Sequence, residues 1–388
     1  MTGRFLGLLL CALPLAACGF TWPCKSTAEL KTDCVSFARE NGMGEFADRI
    51  AGETNLTDWI DETVRYCEER LTHSEGADHL DPERRRTLML LDYPLHVDTY
   101  STNTPSEECA AFARAVIGYQ RRAIARVIRE VREAKVEEGA LRLWHVYNMA
   151  YVIKGCRHTV LIDFTPYPYA KGANSWTTPD LQALAGLGDM LVITHPHLDH
   201  VSIPLMKEMR ALGKPLVLPC AIREYSAGPG VTVLDTDHAE PVEIGGVRFR
   251  NFMGNQGAKI PCNTYQMEID GVRVADNGDN YPRDREWKLA ACPPTDVIIA
   301  ATWNCVTNIV AACTAALGFR RDEAVFLPSH DNEVMHSVPH RESYCEMYAD
   351  GNRLGCPGFA WPRVIPLGWG ESLTFRRQKQ GGSYDRHD

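Results

Sequence analysis

The feature that most limits how this chain can fold is a short apolar run, Leu191-Val192-Ile193-Thr194, that passes directly into His195-Pro196-His197-Leu198-Asp199-His200. The chain has only 13 histidines, and this loop concentrates three of them with an aspartate. In an extended segment alternate side chains point the same way, so His195 and His197 face one position while Pro196 stiffens the backbone between them. Asp199 and His200 lie past the bend and face a second position. Imidazole and carboxylate donors suit zinc, with manganese or iron as alternatives, better than calcium, whose shells are all oxygen. The run therefore reads as a strand end that opens on a metal-binding loop, and the rest of the chain must supply a scaffold stiff enough to hold it.

There is ample material for one. The 388 residues are 45% hydrophobic, enough for one large or two ordinary domains with real cores. Residues 26 to 138 read as helices. Ser26 with Glu29 and Thr104 with Glu107 have capping-box spacing, and Pro82 and Pro105 suit first helical positions. Ile60, Val64, Cys67 and Leu71 form one apolar stripe, and Phe112, Val116, Tyr119, Ala123, Val127 and Val131 form another on a long helix ending near Gly139. The other face of that helix carries Arg121, Arg122, Arg126, Arg129 and Arg132 among Glu130 and Glu133, and reads as solvated. After Gly139 the pattern changes to short β-branched runs. Strands are expected at 141–145, 150–153, 159–163, 190–194, 216–218, 247–251, 265–269, 272–275, 297–300 and 324–327, with helices around 179–185, 204–212 and 308–316. Lys and Arg total 41 against 50 Asp and Glu, a net charge of -9 that argues against nucleic acid as a partner.

The first residues carry a separate message. Arg4 is followed by the apolar run Phe5 to Leu15 and then Ala16, Ala17 and Cys18, the pattern of a signal peptide over residues 1–17 and too short to span a bilayer. Leu15-Ala16-Ala17-Cys18 resembles a bacterial lipobox, which implies lipid attachment at Cys18 and a protein anchored in the bacterial cell envelope; Gly19 after the cysteine implies the outer membrane, facing the periplasm or the cell surface. Of the 14 cysteines, the 12 left after Cys11 and Cys18 form an even set that fits disulfides in an oxidising compartment.

The spacing of His195, His197, Asp199 and His200 resembles the His-x-His-x-Asp-His hallmark of the metallo-β-lactamase superfamily. Leu143 to Asp163 looks like that family's opening strands, and Gly370-Glu371-Ser372-Leu373 like the close of its lactonase-like and phosphodiesterase-like branches. The resemblance covers roughly residues 141–375 and leaves a helical N-terminal domain at 18–140 and a flexible tail at 376–388. It implies an α/β fold, an αββα sandwich of two mixed sheets with helices outside and metals at one edge. It further implies that Asp279, in Gly278-Asp279-Asn280, bridges two metals, with Asp276 as the alternative ligand or a hydrogen-bonding neighbour, and that His330, after Phe326-Leu327-Pro328-Ser329, is the last ligand.

One family histidine is missing, because the region before the Gly-Asp turn reads Phe252-Met253-Gly254-Asn255-Gln256. Either Asn255 coordinates, or His195, His197 and Asp279 hold the first metal with water, or a residue from elsewhere fills in; His238, the nearest upstream histidine, reads as a surface residue. Glu333 and His336 would share a face of a helical turn beside His330. They either orient it, bind metal in its place, hold a substrate carboxylate or phosphate with Arg341, or form a polar loop on the rim.

The function implied is a hydrolase in which one or two metal ions generate a hydroxide that attacks an ester, lactone or phosphodiester, with Asp199 orienting it and relaying its proton. A small-molecule or lipid ester is the expected substrate, and the membrane is met through the lipid anchor. The rival reading is a catalytically weak surface lipoprotein that uses the metal as a clip and binds a partner.

Overall fold

The structure is a computed structural model and describes residues 23–71, 81–99, 106–165, 176–225, 227–256, 260–280, 293–301, 325–334, 336–353 and 364–377. The signal peptide, Cys18, the helix expected at 308–316, the Thr104-Pro105 cap and the tail beyond 377 lie outside the described residues.

Among the described residues five helices come first: α1 (Thr27–Glu40), α2 (Gly44–Gly52), α3 (Asp58–Leu71), α4 (Pro82–Leu95) and α5 (Ser106–Glu133). Their starts follow from the sequence. Ser26 and Glu29 close a capping box on α1, and Asp81 accepts the Glu83 N–H in front of Pro82. The two expected stripes are buried on α3 and α5. Helix α5 stops at Glu133 rather than near Gly139, which instead sits at φ 77 in the turn that opens the first strand. The arginine face of α5 is not simply solvated. Arg126 is buried and, with Arg122, pairs with Glu68 of α3, while Glu130 accepts from Arg142 and from the Trp144 indole.

Two sheets follow. The first orders β13 (Ser372–Arg376), β1 (Ala140–Tyr147), β2 (Ala150–Lys154), β3 (Thr159–Ile162), β4 (Met190–Val192), β5 (Leu216–Pro219) and β6 (Val231–Leu234). The second orders β12 (Val325–Ser329), β11 (Val297–Ala301), β10 (Val272–Asp276), β9 (Ile260–Ile269), β8 (Val247–Gln256) and β7 (His238–Ile244). Both are mixed: β3 to β6 and β10 to β12 run parallel and the remaining neighbours antiparallel. Strands β6 and β7 were not legible in the sequence. Strand β6 is brief and follows two glycines; β7 contains Pro241, Glu240 and Glu243, which an edge strand tolerates and an interior one does not.

The sheets face each other across a shared core in which Leu143, Tyr151, Val160 and Val192 meet Phe249, Tyr265, Val274 and Ile299. Outside the first sheet, Val127 and Val131 of α5 pack with Trp144, Val152 and residues of α6 (Thr178–Leu187) and α7 (Ile203–Ala211). Outside the second, Ile298, Ala300 and Phe326 cluster with Tyr344, Met347 and Tyr348 of α8 (Tyr344–Arg353), and the same cluster runs on into α1 to α5. The helices expected to form a separate N-terminal domain thus pack directly onto the sandwich, and Arg84 of α4 binds Glu371 beside β13 through Nε at 2.8 Å and Nη2 at 2.6 Å.

The expected disulfide set finds no support among the described residues, and Cys292, Cys305, Cys313 and Cys356 lie outside them. The eight described cysteines, Cys24, Cys34, Cys67, Cys109, Cys156, Cys220, Cys262 and Cys345, are all free thiols, so no disulfide forms among the described residues. Cys34, Cys67 and Cys262 are buried and fill core space as small apolar groups, and burial pushes the Cys34 thiol up to about 12. No helix among the described residues is long and apolar enough to cross a membrane.

Candidate metal centre

Strands β3, β4, β10 and β12 all end at the same edge of the sandwich, and the segment following each supplies a polar side chain. These are Asp163 after β3, His195 to His200 after β4, Asp279 after β10 and His330 after β12. Strand ends are where parallel sheets leave room for a site, because the chain must turn away there. Of the five described non-glycine residues with positive φ, four are at this edge: Asn148 at 56°, Asp163 at 47°, His330 at 69° and Asn332 at 49°. Such conformations cost about 1–3 kcal/mol each and persist where the surroundings fix them.

Among the described residues three groups of ligand-type atoms have their members within 4.8 Å of one another; one is Asp163, His195 and His200, and the other two, taken as the candidate metal positions, are His195, His197 and Asp279, and Asp199, His200, Asp279 and His330. Asp279 belongs to both. Its Oδ2 lies 3.2 Å from His195 Nε2, 3.3 Å from His200 Nε2 and 3.7 Å from His330 Nε2, while Asp199 Oδ2 lies 3.2 Å from Nε2 of both His200 and His330. The structure therefore brings together all six residues read as principal ligands. Asp276 stays outside both groups; its Oδ1 accepts the Gly278 N–H at 2.7 Å and shapes the turn that presents Asp279.

Whether these residues suit a metal ion can be tested on their hydrogen bonds. His195 Nε2, His200 Nε2 and Asp279 Oδ1 are buried and make no hydrogen bond among the described residues, although carboxylates stand close by. Buried polar atoms left that way cost about 1–3 kcal/mol each unless something else binds them. Burial disfavours charge on His200, but Asp279, Asp199 and Asp163 around it raise its pKa well above the usual value. Against the same burial cost, Asp279 and Asp199 hold His330 up at about 9. The carboxylates move the other way: despite burial, His200 and His330 hold Asp199 and Asp279 well below the ordinary carboxylate range. The cluster thus gathers charge that a divalent cation, replacing protons, would satisfy, and nitrogen with carboxylate donors fits a zinc-type ion.

Residues that the sequence did not single out orient these groups. Asp163 accepts His200 Nδ1–H at 2.8 Å, the Thr194 N–H at 2.8 Å and the Thr194 hydroxyl at 2.5 Å, which turns His200 Nε2 toward the cluster. Asn148, in the β1–β2 turn, donates to Asp199 Oδ2 at 3.2 Å, and its carbonyl accepts the His330 N–H at 3.2 Å. An aspartate ending the buried run at 159–163 was the one available signal for the first; nothing marked the second.

Of the three readings of the missing histidine, the arrangement fits the one in which His195, His197 and Asp279 stand together without a further ligand residue. Asn255 is exposed and takes no part. Neighbouring side chains on a strand point to opposite faces, and it is Gln256 that turns inward and donates to Asp279 Oδ2 at 2.8 Å. His238 lies on β7 with Nε2 3.1 Å from Thr236 Oγ1 and belongs to neither group. Glu333 is buried and His336 partly exposed; they sit 3.0 Å apart, with the His336 ring stacked on His330 at 5.6 Å, so they flank His330 without joining either group. Arg341 does not face the opening. It is buried and donates to the carbonyls of Leu95, Val97 and His336, which rules it out as an anion clamp.

No family model matches the chain, and no curated protein does. Solved structures similar to it include a metallo hydrolase from the archaeon Ignicoccus hospitalis (17% identity, covering 62% of this chain and 100% of that one, TM-score 0.46). The isothiocyanate hydrolase from Delia radicum gut bacteria matches at 13% identity over 61% of this chain and 99% of that one, TM-score 0.46. The metallo-β-lactamase-fold protein YhfI from Bacillus subtilis matches at 12% over 61% and 99%, TM-score 0.43.

Proposed function

We propose that the chain is a metal-dependent hydrolase acting on an ester, lactone or phosphodiester. The observation that carries the proposal is Asp279, whose carboxylate is shared between two clusters of buried imidazole and carboxylate groups. A transition metal bound there supplies Lewis acidity and lowers the pKa of a water toward neutrality. His195 and His197 hold one side, and Asp199, His200 and His330 the other. Asp199, anchored by Asn148, orients the attacking water and takes its proton. Leu198, 64% exposed between His197 and Asp199, offers an apolar contact at the rim, which supports a substrate with an apolar part.

Attachment to a bacterial membrane through Cys18 belongs to the same proposal and rests on the run from Arg4 to Cys18 alone. Gln256 in place of a histidine favours the second reading, a metal-binding envelope protein of weak catalysis. One experiment separates them. Protein lacking residues 1–18 is assayed for bound metal and for turnover on ester, lactone and phosphodiester substrates, before and after chelation. Chelation-sensitive turnover supports the hydrolase; tight metal without turnover on any class supports the binding protein.

A further inference from the structure

The strand that delivers His330 does little to hold it. Strand β12 stops at Ser329, and the chain then passes through His330 and Asn332 in left-handed conformations, so the direction of the His330 ring depends on what grips the loop. The backbone is held by Asn148, whose carbonyl accepts the His330 N–H at 3.2 Å, and by Glu342, whose carbonyl accepts the Asn332 N–H at 2.7 Å; a further, side-chain grip comes from α4, in the helical segment that precedes the sandwich. Asp92 is fully buried; its Oδ1 accepts Asn332 Nδ2–H at 3.0 Å and the Tyr344 N–H at 2.9 Å, and its Oδ2 accepts the Cys345 N–H at 2.7 Å. One carboxylate thus ties the residue two past His330 to the first turn of α8.

The end of the same helix adds a second tie. Leu95 is the last residue of α4, where carbonyls lack helical partners, and Arg341 donates to its carbonyl at 2.6 Å and to that of Val97 at 3.2 Å. Arg341 Nε then reaches back to the His336 carbonyl at 2.8 Å, closing the far end of the loop.

We propose that Asp92 is a positioning residue of the metal centre: by fixing Asn332 and the start of α8 it holds His330 toward Asp199 and Asp279, so the helical segment is a working part of the site. This rests on the reading of His330 as a metal ligand. The Asp92 hydrogen bonds go to Asn332, Tyr344 and Cys345 and to neither His195 nor His197, so its loss should be felt at one metal position only. Partners that orient ligands act on this scale: their removal weakens metal affinity by roughly 10- to 100-fold.

The test uses the metal-free protein titrated with cobalt(II), whose visible absorption reports each position as it fills. Asp92→Ala removes all three contacts. Asn332→Gly removes only the amide and keeps a backbone at ease with positive φ, so it decides the matter should Asp92→Ala fail to fold. The expected result for both is a Kd weakened by roughly 10- to 100-fold at the position containing His330 and changed less than about twofold at the other. His330→Ala, run in parallel, should abolish the same absorption band; if it leaves both bands intact, the ligand reading itself fails, whatever Asp92 does. If His330→Ala removes the band while Asp92→Ala and Asn332→Gly bind at both positions like the unaltered protein, the positioning role is overturned. Equal weakening at both positions together with lowered thermal stability overturns it as well, since that is what general destabilisation would do.

Discussion

Gln256 donates to Asp279 Oδ2 at 2.8 Å, so an amide stands beside the carboxylate that both clusters share. An amide has no basic nitrogen to give a metal, and its oxygen is a weaker donor to zinc-type ions than imidazole. Gln256→His should therefore tighten metal at the His195–His197 position, by roughly tenfold or more on the scale of metal-site changes. Competition against a chromophoric chelator measures this, and unchanged or weaker affinity would count against Gln256 lying at that position.

The turn before Asp279 depends on Gly278. Its φ is 51°, and an added Cβ would lie 2.9 Å from Cys262 Sγ and from Thr194 Cβ and Oγ1. Gly278→Ala should cost at least about 1–3 kcal/mol, the range for overpacking, and lower metal content with it. Urea unfolding and metal analysis read the two effects; an alanine variant as stable and as metal-loaded as the parent would contradict the packing described.

Arg84 and Glu371 form a bidentate pair with side chains only 5% and 0% exposed, joining α4 to the start of β13. Removing one partner of such a pair strands the other charge in the interior. Arg84→Ala should destabilise the protein by about 3–5 kcal/mol, measured by denaturant unfolding, whereas an exposed pair would give less than about 1 kcal/mol.

Burial pushes the Asp92 carboxyl up to about 7, against the hydrogen bonds from Asn332, Cys345 and Tyr344. In the unfolded chain an aspartate titrates near ~3.9. The folded form therefore holds the proton more tightly, and this group's stabilisation is complete below the unfolded pKa and lost as pH rises through about 7. The melting temperature of the unaltered protein minus that of Asp92→Asn should thus fall from about pH 5 to about pH 8. A difference that is constant or grows over that range would contradict a raised Asp92.

Much of this arrangement is written locally. The apolar run into His195–His200, the caps at Ser26 and Asp81 and the stripes on α3 and α5 each lie within a few residues, and the turns bearing Asp279 and His330 follow recognisable strands. What stayed hidden joins distant segments: Asp92 and Asn332 are 240 positions apart, Arg84 and Glu371 287, and neither pair leaves a periodic trace. Choosing between Asn255 and Gln256 required the strand's register, which one residue reverses. The cysteine count was no guide to pairing among the described residues, because thiols that fill a core look, in composition, like thiols that pair. With that support withdrawn, export rests on the N-terminal run alone.

The division of labour inside the centre is tested most directly by Asp199→Asn. The change keeps size and a ligating oxygen but removes the charge that orients the water and accepts its proton. On whichever ester class is turned over, kcat per bound metal should fall by about 100-fold or more while metal content and melting temperature stay near those of the parent. A variant that keeps its metal and turns over at the parent rate would contradict the assignment of Asp199, and with it the hydrolytic mechanism proposed for this site.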